Sequence, residues 1–323
     1  MKIRDPNLTS DSLKKERENV ALPPLETVTV NSSKNPYLFW FVWTAVLSII
    51  TLLGYVVGRF IGANGNESIN ALYQIFSMDT FWFGVIIGFL AQIIDGALGM
   101  AYGISATTFL LSLGTSPAVA SASVHIAAVF TTGLSGIAHV KFGNVSKSLF
   151  LRLLLPGIIG ALSGVLFVTK LDADIIKPLV SLYLLIMGVL IIKKSFFKKR
   201  QTKINDSKIL KLALAGGFMD SAGGGGWGPI VTSTLLGAGQ DPRSTIGSVN
   251  FAEFFLTLAT AGFFSIFIAT APWPIIFGLV IGGLFAAPFA AFLCKHLPVK
   301  LIMVIVGCVV SILSLINIFQ FFK

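Results

Sequence analysis

Charge is what this sequence has least of. Only 12% of its 323 residues are Asp, Glu, Lys or Arg, against the roughly 25% of a soluble domain. With 54% hydrophobic residues and a mean hydropathy of +0.85, that scarcity excludes a water-soluble globular protein. Cysteine is almost absent. Cys294 and Cys308 lie fourteen residues apart in apolar surroundings, which excludes a disulfide framework or thiolate metal site and reads as core packing. The apolar runs lack strand-like alternation, so a transmembrane barrel is excluded as well. The first 36 residues lack the apolar and cleavage regions of a secretory signal.

What is present is a series of long apolar runs at 37–61, 81–113, 118–138, 149–169, 179–192, 210–236, 251–271, 275–293 and 301–322. Most reach the roughly 20 residues that a bilayer core requires. Lipid permits only helices or closed barrels, so one domain of transmembrane helices is expected. The net charge of +10 is concentrated rather than spread: 193–211 holds eight Lys or Arg against one acid, Asp206. Segment 62–80 holds Glu67 and Asp79 and no Lys or Arg. The first segment is therefore expected in the cytoplasm and the second outside, and the charge reads as an orientation signal, not a nucleic-acid surface.

Shifting the sequence by 125 residues matches 95–132 to 220–257 without a gap, with fourteen of 38 positions identical. Asp95/Asp220, Gly99/Gly224, Gly103/Gly228, Thr107/Thr232, Pro117/Pro242, Ser123/Ser248 and Thr132/Thr257 all fall into register. Asp, Pro, Ser and Thr do not align this way through apolar low complexity, so the chain is a duplication.

Counting crossings back from the basic segment makes 81–113 begin and end on the same face. Its 33 residues are too few for two spans of about 20, but they suit two short half-helices that dip in and return. The second half begins on the opposite face, so the copies are inverted. The expected architecture is an all-α polytopic membrane protein of two inverted-topology repeats, each a short broken, re-entrant hairpin plus three transmembrane helices, with one extra N-terminal transmembrane helix. Its parts are a disordered cytoplasmic tail (1–36), the extra helix (37–62), the first repeat (80–194), a basic cytoplasmic linker (195–207) and the second repeat (208–323). Inverted repeats with interrupted helices point to a secondary transporter with its site near the midplane.

The break of the second hairpin is DSAGGGGWGP (220–229). Gly223, Gly224, Gly225 and Gly226, with Trp227 beside them, permit left-handed backbone and close approach. The counterpart DGALGMAYG (95–103) supplies Gly99 and Gly103. A half-helix restarting there presents unsatisfied N–H groups and a positive dipole end, which is an anion site without a charged side chain. After each hairpin follows a polar cluster, SASVHIAAVFTT (121–132) and IGSVNFAEFFLT (246–257). Ser123, His125, Thr132, Ser248, Asn250 and Thr257 are the candidate substrate donors, because polar groups at that depth face the bundle interior. Asp95 and Asp220 read as caps of the restarting arms, with proton transfer the second reading. Glu253 is a lone carboxyl in a span and reads as a proton carrier. No metal or cofactor is called for.

The motifs GFLAQIIDGALGMAYG, PAVASASVHIAAVFTTGLSGIAHVKFGNV and GGFMDSAGGGGWGPI resemble the TauE/SafE family of sulfite and organosulfur-anion exporters over residues 80–322. The resemblance implies secondary transport of small sulfur-containing anions such as sulfite, thiosulfate, sulfoacetate or other sulfonates across a bacterial cytoplasmic membrane; the charge bias puts the N-terminus inside. The glycine-rich loop of that family matches Gly223–Gly226, whereas the first half carries Ala97, Leu98, Met100 and Ala101 among its glycines. An anion channel is the nearer rival, since half-helix dipoles also line pores. An intramembrane serine protease using Ser135 of GLSG with His139 is the further one.

Overall fold

The computed structural model describes residues 37, 39–44, 46–48, 50–51, 73–98, 100–196, 205–268, 272–296 and 299–321, with side chains at 96–98 and 287–299 excepted. The tail 1–36, Glu67, Gly99, most of the basic linker and the Cys294 side chain lie outside the described residues. Every described element is a helix. After a short apolar helix at Phe39–Ser48 and a helical stretch at 73–77, they are in chain order α1 (Asp79–Leu98), α2 (Tyr102–Ser112), α3 (Pro117–Lys141), α4 (Lys147–Lys170), α5 (Ala173–Phe196), α6 (Asp206–Gly223), a π-helical turn (Gly228–Thr232), α7 (Ser233–Gly237), α8 (Pro242–Phe267), α9 (Trp273–His296) and α10 (Val299–Phe321).

Five of them are long and apolar enough to cross a membrane: α3, α4, α5, α8 and, over Lys300–Phe321, α10. Exposed Leu, Ile and Phe cover the outside, among them Leu155, Ile159, Ile186, Ile305 and Phe319. This is a surface for hydrocarbon, and the protein is a multi-pass membrane protein. Cys308 is exposed on α10, which corrects the expectation that it packs in the core. A small thiol facing lipid has no desolvation cost to avoid.

The helix ends follow local chemistry. Pro117 and Pro242 open α3 and α8 at the position where the missing N–H costs nothing. Asp241 Oδ2 caps α8 by accepting the Ser244 N–H at 2.8 Å. The two short second arms close in the same way. Gly114 and Gly239 take φ of 86° and 82°, Thr115 N and Gln240 N donate to Leu110 O and Leu235 O, and the glycine N–H groups donate to Leu111 O and Leu236 O. These are Schellman ends 125 residues apart, and each needs glycine for its left-handed residue.

The shift of 125 that aligns the sequence also superimposes the element boundaries. It carries α1 onto α6, α2 onto the π-turn and α7, and α3, α4 and α5 onto α8, α9 and α10. The most extensive packing is α1 on α9, and its mate under the shift is α4 on α6. Small residues let both pairs approach closely. A Cβ at Gly278 would come within 2.7 Å of Val85 N, and one at Gly217 within 3.0 Å of Ala161 N. Helices α3 and α8 cross each other, as do α5 and α10. Thr132 Oγ1 and Thr257 Oγ1, which are partners in the repeat, meet at 3.4 Å where α3 and α8 cross.

Each hairpin has its own core. Tyr102, Ile104, Leu110 and Leu111 of α2 pack with residues of α3, α5 and α10. Trp227, Val231 and Leu235 pack with residues of α4 and α8. The hairpins differ from the two short half-helices expected. The first arms α1 and α6 run for 20 and 18 residues, or about 30 and 27 Å at 1.5 Å per residue. Only the second arms are short. Nothing in α1 before Gly99 breaks a helix, so the chain stays helical for a turn beyond Asp95.

Candidate functional site

Both breaks are bridged by the duplicated aspartate. Asp95 and Asp220 lie about a turn before their helices end at Leu98 and Gly223, so each carboxylate reaches over the break to the arm that restarts. Asp220 Oδ1 accepts the Trp227 N–H at 2.9 Å, and Asp95 Oδ1 accepts the Tyr102 N–H at 3.3 Å. The same seven-residue bridge is therefore made twice. It satisfies N–H groups that helix geometry leaves orphaned, and it sets a negative charge at the positive end of the dipole.

The glycines give the second break its shape. Gly224, Gly225 and Gly226 take φ of 71°, 146° and 153°, a region that residues with a Cβ rarely enter. The N–H groups of Gly224 and Gly225 donate to the Asp220 carbonyl, the latter at 2.7 Å. Gly103 at the start of α2 lies directly against this loop: a Cβ on Gly225 would sit 2.6 Å from Gly103 Cα. The two breaks thus touch in the middle of the molecule. Thr107 Oγ1 donates to Gly224 O across the contact, and Tyr183 OH of α5 donates to Gly225 O at 2.8 Å.

His125 joins the break from α3. Its Nε2 lies 3.0 Å from Asp220 Oδ2 and its Nδ1 lies 2.7 Å from Ser121 O, with both side chains nearly inaccessible. Ser121 Oγ adds a second tie by donating to Ser221 O at 2.7 Å. Glu253 is half-buried on α8, close enough to Asp220 and Asp95 for their charges to act on it. Three carboxyls, one imidazole and the glycine loop thus share the centre.

The remaining candidates are distributed around this centre. Ser123 Oγ donates to its own Val119 O at 2.8 Å. Ser248 Oγ accepts the Ser146 N–H at 2.8 Å, just before α4 begins. Thr132 and Thr257 donate to Ala128 O and Phe254 O within their own helices. Asn250 keeps a buried Oδ1 with no hydrogen-bond partner among the described residues. Trp227 is fully buried; its ring abuts Gly157 and its Nε1–H donates to Val249 O at 3.1 Å. It anchors the loop by packing, and its one donor is spent. His139 faces Asn144 Nδ2 at 3.3 Å, which turns its Nδ1 away from the role of base to Ser135.

Sequence reasoning did not select Thr107, Tyr183, Ser121 or Lys194. Thr107 belongs to the duplicated set and so carried a signal. Tyr183 and Lys194 carried none, since each acts on a loop 35 or more residues away. Lys194 Nζ donates to Pro229 O at 2.9 Å and to Ser233 Oγ at 2.6 Å, where the π-turn leaves the Pro229 carbonyl to be met.

Comparisons with known proteins give the family. The profile of a family described as sulfite exporter TauE/SafE matches residues 84–316. The chain is 44% identical over 230 residues to a protein of Bacillus subtilis (strain 168) named probable membrane transporter protein YtnM, which covers 68% of this chain and 77% of that one. No solved structure matches the chain. A duplicated, carboxylate-bridged break inside a multi-pass helical bundle, together with that profile over most of the length, makes this membrane transporter a member of the sulfite exporter TauE/SafE family.

Proposed function

We propose that the protein is a secondary transporter of small sulfur-containing anions, such as sulfite, thiosulfate, sulfoacetate or other sulfonates, in a bacterial cytoplasmic membrane. The N-terminus is cytoplasmic, the two repeats are inverted in the membrane, and the anion is held where the two breaks meet. The observation that carries this reading is the contact between Gly103 and the Gly224–Gly226 loop, where both restarting arms begin. Backbone N–H groups at such ends, with the Asn250 amide and with Ser and Thr hydroxyls of α3 and α8 that turn from the carbonyls they now hold, supply the donors an oxyanion needs without a fixed countercharge. Proton coupling through the central carboxyls and His125 belongs to the same reading. The basic 193–211 segment, which by charge bias belongs in the cytoplasm, supports the orientation.

A ligand-dependent melting measurement tests the substrate class. An anion that binds the folded state stabilises it by RT ln(1 + [L]/Kd), about 2.7 kcal/mol at a hundredfold excess over Kd. Thiosulfate, sulfite and sulfoacetate should each raise the melting temperature of the purified protein, and chloride should not. Equal shifts with all anions, or none with sulfur anions, would count against the reading.

A further inference from the structure

The positive end of the second restarting arm already carries an anion, and that anion belongs to the chain. Asp220 Oδ1 holds the Trp227 N–H, so a transported oxyanion can take that donor only when Asp220 releases it. The other oxygen, Oδ2, faces His125 Nε2 at 3.0 Å. Ring geometry then fixes a proton count. Nδ1 lies 2.7 Å from Ser121 O, a carbonyl with no hydrogen to give, so Nδ1 carries one. Nε2 and Oδ2 face each other and need a second proton between them. With that proton removed, the imidazole has one hydrogen for two acceptors, and a ring lone pair is forced against either the carbonyl or the carboxylate.

We propose that His125 and Asp220 form a one-proton site, and that Asp220 is a tethered competitor that yields its place to the transported anion only when this proton is present. The inference rests on the proposed anion transport. When the anion arrives, the proton passes from Nε2 to Oδ2. Asp220 becomes neutral and releases the Trp227 N–H, and anion and proton are carried together.

The other titratable groups at this centre act in the same sense. Glu253 on α8 and Tyr183 on α5 bear on Asp220, and Asp95 on α1 bears on Glu253 and on Tyr102 of α2. The titratable groups named here are carboxyls and phenols, so an incoming anion meets repulsion from each carboxyl that is ionised, and the bound proton lowers it. Acid on the loading side therefore promotes loading. Where the proton gradient points inward, cotransport of this kind drives uptake.

The test uses the full chain in proteoliposomes with the membrane potential clamped and radiolabelled thiosulfate, whose charge does not change near neutral pH. An exterior one pH unit more acidic than the interior should drive accumulation of up to about tenfold, the limit for one proton per anion at about 1.36 kcal/mol per unit. In His125→Gln the accumulation should fall to the level without a gradient. Wild-type thiosulfate exchange that ignores the gradient overturns the coupling while leaving the anion reading intact, and undiminished accumulation in His125→Gln overturns the assignment. A second measurement covers a variant that does not fold. Thiosulfate binding to detergent-solubilised wild type, measured across a pH series, should weaken as the pH rises and the pair loses its proton, and in Asp220→Asn the affinity should no longer follow pH in this way. Wild-type binding that ignores pH overturns the proposal while leaving the anion reading intact; no binding of thiosulfate, sulfite or sulfoacetate at any pH overturns both.

Discussion

Ala101 holds a φ of 89° at the position where the second repeat has Gly226. A left-handed residue with a Cβ costs roughly 1–2 kcal/mol, of which glycine's greater chain entropy returns about 0.5–1 when Ala is replaced. Ala101→Gly should therefore stabilise the protein by up to about 1 kcal/mol, read as a higher melting temperature in detergent. The opposite holds at Gly225, where φ is 146° and the Gly103 backbone fills the space a Cβ needs. Gly225→Ala should destabilise by about 3 kcal/mol from strain and overpacking together. Thr107→Val keeps the shape and removes the donor to Gly224 O; a melting loss of about 1–2 kcal/mol is expected for the carbonyl left buried. At this scale the sequence was legible where chemistry was repeated. Asp95 and Asp220 were read as caps from their register, and each accepts an N–H of the restarting arm. Trp227 was read as part of the glycine loop and Ser248 as a donor to substrate; that they meet Val249 O and Ser146 follows from tertiary neighbours that leave no mark on local sequence.

The hairpins show how an element departs from its sequence pattern. Pro229 follows Gly228 where the second arm restarts, and that arm opens as a π-helical turn over Gly228–Thr232. The Pro229 carbonyl there is met by Lys194 Nζ of α5 and by the Ser233 hydroxyl. Lys194→Met leaves that carbonyl without its charged donor, and hydrogen bonds of this kind contribute about 1.5–3 kcal/mol. The variant should melt lower and expose 228–237 to protease earlier than wild type. Identical melting and cleavage would mean that Lys194 does not hold the π-turn. The first arms were expected to be short because 33 residues do not make two spans. The structure spends those residues unequally, since sequence length limits the sum of the two arms but not its division.

Across the whole molecule, one shift of 125 residues relates the sequence, the helix boundaries, the Schellman ends and the principal packing pairs. The repeat was visible in fourteen identities, and the five-element unit around them follows from hydropathy. Which faces pack together was not visible, because apolar residues cover both the core side and the lipid side of these helices. The inverted orientation is checked by labelling single cysteines in a background without Cys294 and Cys308. Glu67→Cys should react with an impermeant thiol reagent from outside and Asp206→Cys only from the cytoplasm. Cytoplasmic labelling at both positions would refute inversion. The central claim, that the duplicated breaks form the site of a sulfur-anion carrier, is tested most directly by counterflow. Proteoliposomes are loaded with unlabelled sulfite, thiosulfate, sulfoacetate, taurine or sulfate, and radiolabelled thiosulfate is followed as it enters. Trans-stimulation by sulfur anions, lost in Gly225→Leu with the protein still in the membrane, is the predicted result; wild-type flux in that variant, or unitary currents without trans-stimulation, would contradict it.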